Sequence, residues 1–317
     1  MSWQTLDALP SELGESPFWH PDEQMLYWVD IPGKQIHRLN PLQGSVQSWA
    51  MPSEPGCIAP ARMAQGQAGG LAVGLDGSLV IALRDGIYLA REWGGGLQRL
   101  LLAEHDPATT RFNDGKADPQ GRFWAGTMYE PRDAATAQLF SLDCRGGRAP
   151  LLEIKASNAV IANGLAWSPD ARTIYWTDTA SHTIRAWDWD GEPNLMSNER
   201  IFKQWPAKPA DWQPGQPGYK GRPDGAAVDV QGNYYVAMFE GARVLKLSPT
   251  GEVLADIPVP AQCPTMPCFG GVDLQTLYLT TARYNRSAAE LQSYPDAGCV
   301  FSMRVDVPGL PVNFFLD

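Results

Sequence analysis

The amino-acid sequence predicts an all-β protein, a six-bladed β-propeller, on three observations. The chain is rich in aromatic and turn-forming residues, it repeats about every 50 residues, and each repeat divides into about four short strand-like runs. Its 317 residues include 12 Trp, 10 Tyr and 10 Phe, set beside Val, Ile and Thr as strand residues are. Gly (31) and Pro (27) make up about 18% of the chain, above ordinary usage, which implies many turns.

Six segments carry the repeat: EQMLYWVDI, DGSLVIALRDG, QGRFWAGTM, ARTIYWTDT, QGNYYVAMFEG and LQTLYLTTA. Each is a turn signal followed by a short apolar run, the pattern of an antiparallel hairpin. The corresponding apolar residues are Tyr27, Val80, Phe123, Tyr175, Tyr234 and Tyr278, at intervals of 53, 43, 52, 59 and 44 residues. That spacing is in the range of propeller blades, and six units fill residues 1–317 as a single domain. In the fifth unit GAAVDV, GNYYVAMF, GARVLKLSP and GEVLADIPV alternate with turns, which reads as a four-stranded meander. A lone blade would expose two edges and a face. Radial packing buries each face on its neighbour, which favours the propeller over a large sandwich.

Composition excludes several partners. With 25 basic against 35 acidic side chains, a net charge of −10 and no Lys/Arg cluster, the chain lacks the footprint of nucleic-acid binding. No run approaches 18 apolar residues, and MSWQTLDALP has neither a basic nor an apolar leader region, so no membrane association is expected. The five cysteines (Cys57, Cys144, Cys263, Cys268, Cys299) are odd in number and contain no C-x-x-C pair. They read as reduced thiols of a cytoplasmic protein. A monomer, or at most a weak oligomer, is expected.

Propeller chemistry sits where the inner strands begin, at one mouth of the central channel. Ten to twelve positions before the apolar anchors stand Glu15 (LGESPFW), Asn113 (RFNDGKADP), Asn163 (IANGLAWSP) and Asp224 (RPDGAAVDV). The second repeat offers only Ala68, Gly69 and Gly70 at this phase, and the sixth Met266, Pro267 and Cys268. N-G and D-G taken singly are turn formers. Four in phase instead direct two carboxylates and two amides at one axial point, an all-oxygen set that suits a hard divalent cation such as Ca²⁺, Mg²⁺ or Mn²⁺. With no Cys or His among them a structural zinc is disfavoured, although a catalytic Zn²⁺ still fits.

Over most of its length the chain resembles the SMP-30/gluconolactonase family, which includes regucalcin and luciferin-regenerating enzyme. GESPFWHP, RFNDGKADPQGRFWAGTM, NGLAWSPD, PDGAAVD and PCFGGVDLQTLYLT carry the resemblance. It implies a six-bladed propeller, one divalent cation at the channel mouth and hydrolysis of lactones, commonly sugar lactones. It further implies Glu15, Asn163 and Asp224 as metal ligands, and Arg111 and Asn113 as contacts to substrate hydroxyls. Asp114 lies beside them in the same motif, and Glu130 falls near a further substrate contact. The family pattern is exceeded at KQWPAKPADWQPGQPGYKGR, a Pro-rich connection over residues 203–222 that leads into Asp224 and is expected to roof the site and shape selectivity.

The expected reaction is hydrolysis of an aldono-lactone such as glucono-, xylono- or arabinono-lactone to the aldonic acid. A divalent cation can polarise the carbonyl and activate water, so no nucleophilic serine is required. Consistent with this, the chain has no G-x-S-x-G elbow and none of its four histidines (His20, His37, His105, His182) stands in phase. Asp224 is the candidate to orient or deprotonate the water, although coordination to a cation would weaken it as a base. Two other readings share this architecture: a metal-dependent arylesterase or phosphotriesterase, and a propeller that holds a cation without turnover.

Overall fold

Six sheets, each with an antiparallel core of strands consecutive in the chain, form the structure, and the innermost strand of each touches the innermost strands of its neighbours around a central channel. In this computed structural model residues 2–6, 9–62, 77–214 and 216–317 are described. The innermost strands are Gly14–His20, Pro55–Arg62, Thr110–Ala117, Ala162–Trp167, Arg222–Val228 and Pro264–Gly270. They are almost wholly buried, whereas outermost strands such as Ser45–Ala50 and Val253–Pro258 alternate with solvent. Blade five follows the predicted meander as Arg222–Val228, Tyr234–Phe239, Arg243–Leu247 and Val253–Pro258.

All six apolar anchors lie buried on the second strand of their blade. Six apolar clusters fill the six junctions between neighbouring blades, the packing that a radial arrangement requires. The junction between blades three and four is built from tryptophan. Trp124 meets Trp167 edge-on with centroids 5.6 Å apart, and Trp189 lies 5.8 Å from Trp167.

Both termini close the ring. Pro264–Gly270, Thr276–Thr281 and Phe301–Arg304 supply three strands of blade six, and the N-terminal strand Gln4–Thr5 supplies the fourth, pairing Gln4 with Ser302 and Thr5 with Phe301. The C-terminal tail crosses the far end of the channel. Leu310 N–H donates to the Val228 carbonyl at 3.0 Å, and Phe315–Leu316 pairs in parallel with Ala61 and Arg62. Behind the tail lies a cavity of about 320 Å³ lined by Trp19, Ile58, Lys116 and Phe269.

The second blade departs from the sequence reading. Its inner strand is Pro55–Arg62, and residues 63–78 separate it from Leu79–Leu83. Counting back ten to twelve residues from Val80 therefore lands in the connection, and Ala68, Gly69 and Gly70 lie outside the described residues. The residues at the level of the site in this blade are Gly56 and Cys57, which bring no oxygen-bearing side chain.

The described helix Ala288–Ser293 is short, and no helix among the described residues is long and apolar enough to cross a membrane. All five cysteine thiols are buried and unpaired.

Candidate active site

Every inner strand is irregular at the same level. Pairing with the second strand skips two residues in blades one, three, four and five, between Glu15 and Phe18, Phe112 and Gly115, Asn163 and Ala166, and Pro223 and Ala226. In blades two and six it skips one, between Pro55 and Cys57 and between Pro264 and Met266. A bulge re-aims the side chains beside it. The four blades with the longer irregularity are the four that carry Glu15, Asn113, Asn163 and Asp224. In blades four and five a glycine follows the site residue because the space beside it is tight. Gly164 has φ +59°, and a Cβ on it would stand 2.3 Å from Thr177 Oγ1; one on Gly225 would stand 2.4 Å from Met266 Cβ.

The structure brings Glu15, Asn113, Asn163 and Asp224 together, all buried. A hydrogen-bonded chain orders the two amides. Arg111 Nη1 donates to Asn113 Oδ1 at 2.7 Å, Asn113 Nδ2 donates to Asn163 Oδ1 and to the Ala162 carbonyl, each at 2.9 Å, and Asn163 Nδ2 donates to Thr179 Oγ1 at 2.8 Å. Both amide hydrogens of Asn113 are thereby committed, and one lone pair on its Oδ1 is left for a ligand. Arg111 is buried, also donating to the Phe112 carbonyl at 2.9 Å and to Met128 Sδ at 3.2 Å.

Glu15 and Asp224 form no ion pair among the described residues; Glu15 accepts only the Ser16 N–H, at 3.2 Å. Burial, reinforced by repulsion from Asp224 and Asp114, pushes the Glu15 carboxyl well above its ordinary range. Burial likewise raises Asp224 to about 8, against the pull of the Arg222 guanidinium and with the repulsion of Asp114 added. Two buried carboxylates that repel each other beside a fixed amide oxygen fit a hard divalent cation. No three of His, Cys, Asp and Glu gather elsewhere among the described residues, and here the third donor is an amide.

Asp114 and Glu130 sit differently from the first four. Asp114 Oδ2 accepts the Leu165 N–H of the neighbouring blade at 3.0 Å, so half of its carboxylate is spent joining blades three and four; Oδ1 is buried with no hydrogen-bond partner. Glu130 is at the edge, accepting from Arg84 at 2.9 and 3.1 Å and lying 3.7 Å from Arg111 Nε. It orients Arg111 rather than pointing at the Glu15 and Asp224 pair. The Pro-rich connection lies on the channel-mouth face, anchored by Tyr219 Oη to His182 Nε2 at 2.8 Å and by Trp212 packed edge-on against Tyr219. His105 hydrogen-bonds the Arg84 carbonyl and packs on Phe112, so it braces the wall of the site.

A family model described as SMP-30/gluconolactonase/LRE-like region matches residues 13–283. The chain belongs to this family. It is 43% identical over 308 residues to the 6-deoxy-6-sulfogluconolactonase of Pseudomonas putida, covering 96% of each chain. It is 35% identical to the pentonolactonase XacC of Haloferax volcanii, over 94% of this chain and 93% of that one. The solved structure of luciferin-regenerating enzyme superposes with a TM-score of 0.84 at 26% identity, over 100% of this chain and 99% of that one.

Sequence reasoning missed Thr179 and Arg222. Thr179, which fixes the Asn163 amide, lies in the turn after the second strand of blade four, with no motif around it. Arg222 did leave a signal. It stands two residues before Asp224 as Arg111 stands two residues before Asn113, so RPDG repeats the arrangement of RFND.

Proposed function

We propose that the protein hydrolyses a sugar lactone to the aldonic acid, with one divalent cation held by Glu15, Asn163 and Asp224. The observation that carries the reading is the pairing of two buried, unneutralised carboxylates with an amide fixed by the Arg111–Asn113–Asn163–Thr179 chain. The lactonase names of the Pseudomonas putida and Haloferax volcanii relatives support the substrate class.

A bound cation would supply Lewis-acid polarisation of the lactone carbonyl. The remaining roles fall to the chain. Arg111 has an N–H to spare and Asn113 Oδ1 a free lone pair, so together they can donate to and accept from sugar hydroxyls. Asp224 takes the proton of the attacking water as oxygen bonds to the carbonyl carbon. It returns that proton to the ring oxygen when the C–O bond breaks, leaving a hydroxy acid. The role needs Asp224 as the carboxylate, the form that a bound cation would favour. The Pro-rich connection, held over the mouth by His182 and Tyr219, limits the size of lactone admitted.

The test is acid release from a panel of aldono-lactones, paraoxon and phenyl acetate, with and without chelator, for wild type and Asn163→Ala. Turnover of lactones alone, abolished by chelator and lowered in Asn163→Ala, is the expected result. Preference for paraoxon or phenyl acetate would assign the site to the esterase class, and cation binding without turnover would make it a binding propeller.

A further inference from the structure

Two arginines hold matching places in their blades and are used in opposite ways. Arg111 lies two residues before Asn113 and Arg222 two residues before Asp224, and in both blades the second strand, Phe123–Tyr129 or Tyr234–Phe239, runs into a glutamate, Glu130 or Glu240. In blade three the arginine turns to the site. Its Nη1 donates to Asn113 Oδ1 at 2.7 Å, while Glu130 is taken up by Arg84 at 2.9 and 3.1 Å and stays 3.7 Å from Arg111 Nε. In blade five the arginine turns to the glutamate. Arg222 Nη1 lies 3.2 Å from Glu240 Oε2, its guanidinium packs 5.1 Å from the centre of the Phe239 ring, and no ion pair joins it to Asp224 among the described residues.

Reach does not explain the difference. Residues two apart on a strand have Cα atoms within about 7 Å, and Arg111 shows that an arginine at this offset engages the side chain it precedes. A carboxylate at Asp224 would attract a guanidinium more strongly than the neutral amide of Asn113 does. Glu240 supplies the competing attraction. It is buried, both of its oxygens accept from Lys208 Nζ at 2.9 Å, and Oε1 accepts from Arg286 Nη1 at 3.2 Å. Gln262 Nε2 donates to its backbone carbonyl at 2.6 Å, and its φ of +62° lies in the left-handed region that favours glycine, so a glutamate is held there against local preference. Arg286 has a second carboxylate in Glu290, at 2.6 and 2.7 Å. Arg222 pairs with Glu240 alone among the described residues.

We infer that Glu240 is a positioning residue for the cation site: it draws Arg222 away from Asp224 and so leaves the Asp224 carboxylate open to a divalent cation. This rests on the cation reading of the site and accounts for how Asp224 stays unneutralised with an arginine two residues away. Without the Glu240 charge, Arg286 keeps Glu290, but Arg222 is left with Asp224 as the nearest carboxylate along the chain. A guanidinium seated on Asp224 would compete with the cation for the same oxygens.

The experiment titrates Ca²⁺ and Mn²⁺ by calorimetry into chelator-stripped wild type, Glu240→Gln, Arg222→Gln, the double variant Glu240→Gln/Arg222→Gln, and Lys208→Ala. Glu240→Gln is expected to weaken binding of the tighter cation by about tenfold or more. Removing Arg222 as well should restore most of the wild-type affinity, which damage to packing around Glu240 would not do. Lys208→Ala leaves Arg222 on Glu240 and should bind as wild type does. Wild-type affinity in Glu240→Gln, no recovery in the double variant, or a loss in Lys208→Ala as large as that in Glu240→Gln overturns the inference. Should Glu240→Gln not fold, Arg222→Gln alone decides: binding at least as tight as wild type supports the inference, and weaker binding overturns it. If wild type binds neither cation, the cation reading fails and a crystal structure of Glu240→Gln decides the positioning separately. Arg222 paired with Asp224 there supports it, and Arg222 anywhere else overturns it.

Discussion

Replacing Asp224 with alanine is expected to lower kcat/KM for the preferred lactone by about 10³-fold or more, because on the proposed reading one change removes a cation ligand and the proton acceptor. A general base alone contributes about 10²–10⁴-fold. Acid release at fixed pH reads the loss. Thr179→Val should be milder, about tenfold, since Thr179 acts only by holding the Asn163 amide through its 2.8 Å hydrogen bond. Equal losses in the two variants would mean that the amide chain, and not the carboxylate, limits the rate.

The second large effect is on stability when the cation is removed. Burial raises the folded-state pKa of Asp224 to about 8 from an ordinary 3.8. Between those values the folded protein holds a proton that the unfolded chain has released. For this group, stability is therefore greatest at low pH and is lost as pH rises towards 8. Glu15 shifts in the same direction and adds to the trend. Chelator-treated wild type should accordingly unfold several degrees lower at pH 8 than at pH 5. Asp224→Asn should remove much of that slope and unfold at a higher temperature than chelator-treated wild type at pH 8, although it is nearly inactive. Adding back a divalent cation should stabilise wild type and leave Asp224→Asn almost unchanged. Thermal unfolding scans over this pH range, with and without cation, measure all three. A wild type whose unfolding temperature ignores chelator at pH 8 would mean that the two carboxylates are neutralised some other way.

Much of this site was legible in the sequence because a propeller converts chain phase into spatial position. Glu15, Asn113, Asn163 and Asp224 lie at one level because their inner strands begin at one level, and strand periodicity preserves that over 200 residues of separation. Phase failed in blade two, where the inner strand Pro55–Arg62 ends well before Leu79–Leu83 begins, so the count back from Val80 does not reach it. It was also silent on closure. Gln4 pairs with Ser302 from the opposite end of the chain, a contact without a local signature.

Side-chain commitments were the least legible. Asn113 and Asp114 are adjacent in one motif, yet one joins the amide chain and the other accepts the Leu165 N–H from blade four. Glu130 belongs to Arg84, a residue of another blade. The ion cluster around Glu240 was hidden for a similar reason: Lys208, Arg222 and Arg286 are up to 78 residues apart in the chain and meet at one carboxylate only in the folded ring.

The central claim is that a single cation, held by Glu15, Asn163 and Asp224, makes this propeller a lactonase. It is tested most directly by titrating a divalent cation into chelator-stripped protein while following acid release from the preferred lactone. Activity should rise from near zero and saturate at one equivalent of cation per chain, with the saturation point lost in Asn163→Ala. Full lactone turnover in the stripped protein, unaltered by added cation, would contradict it.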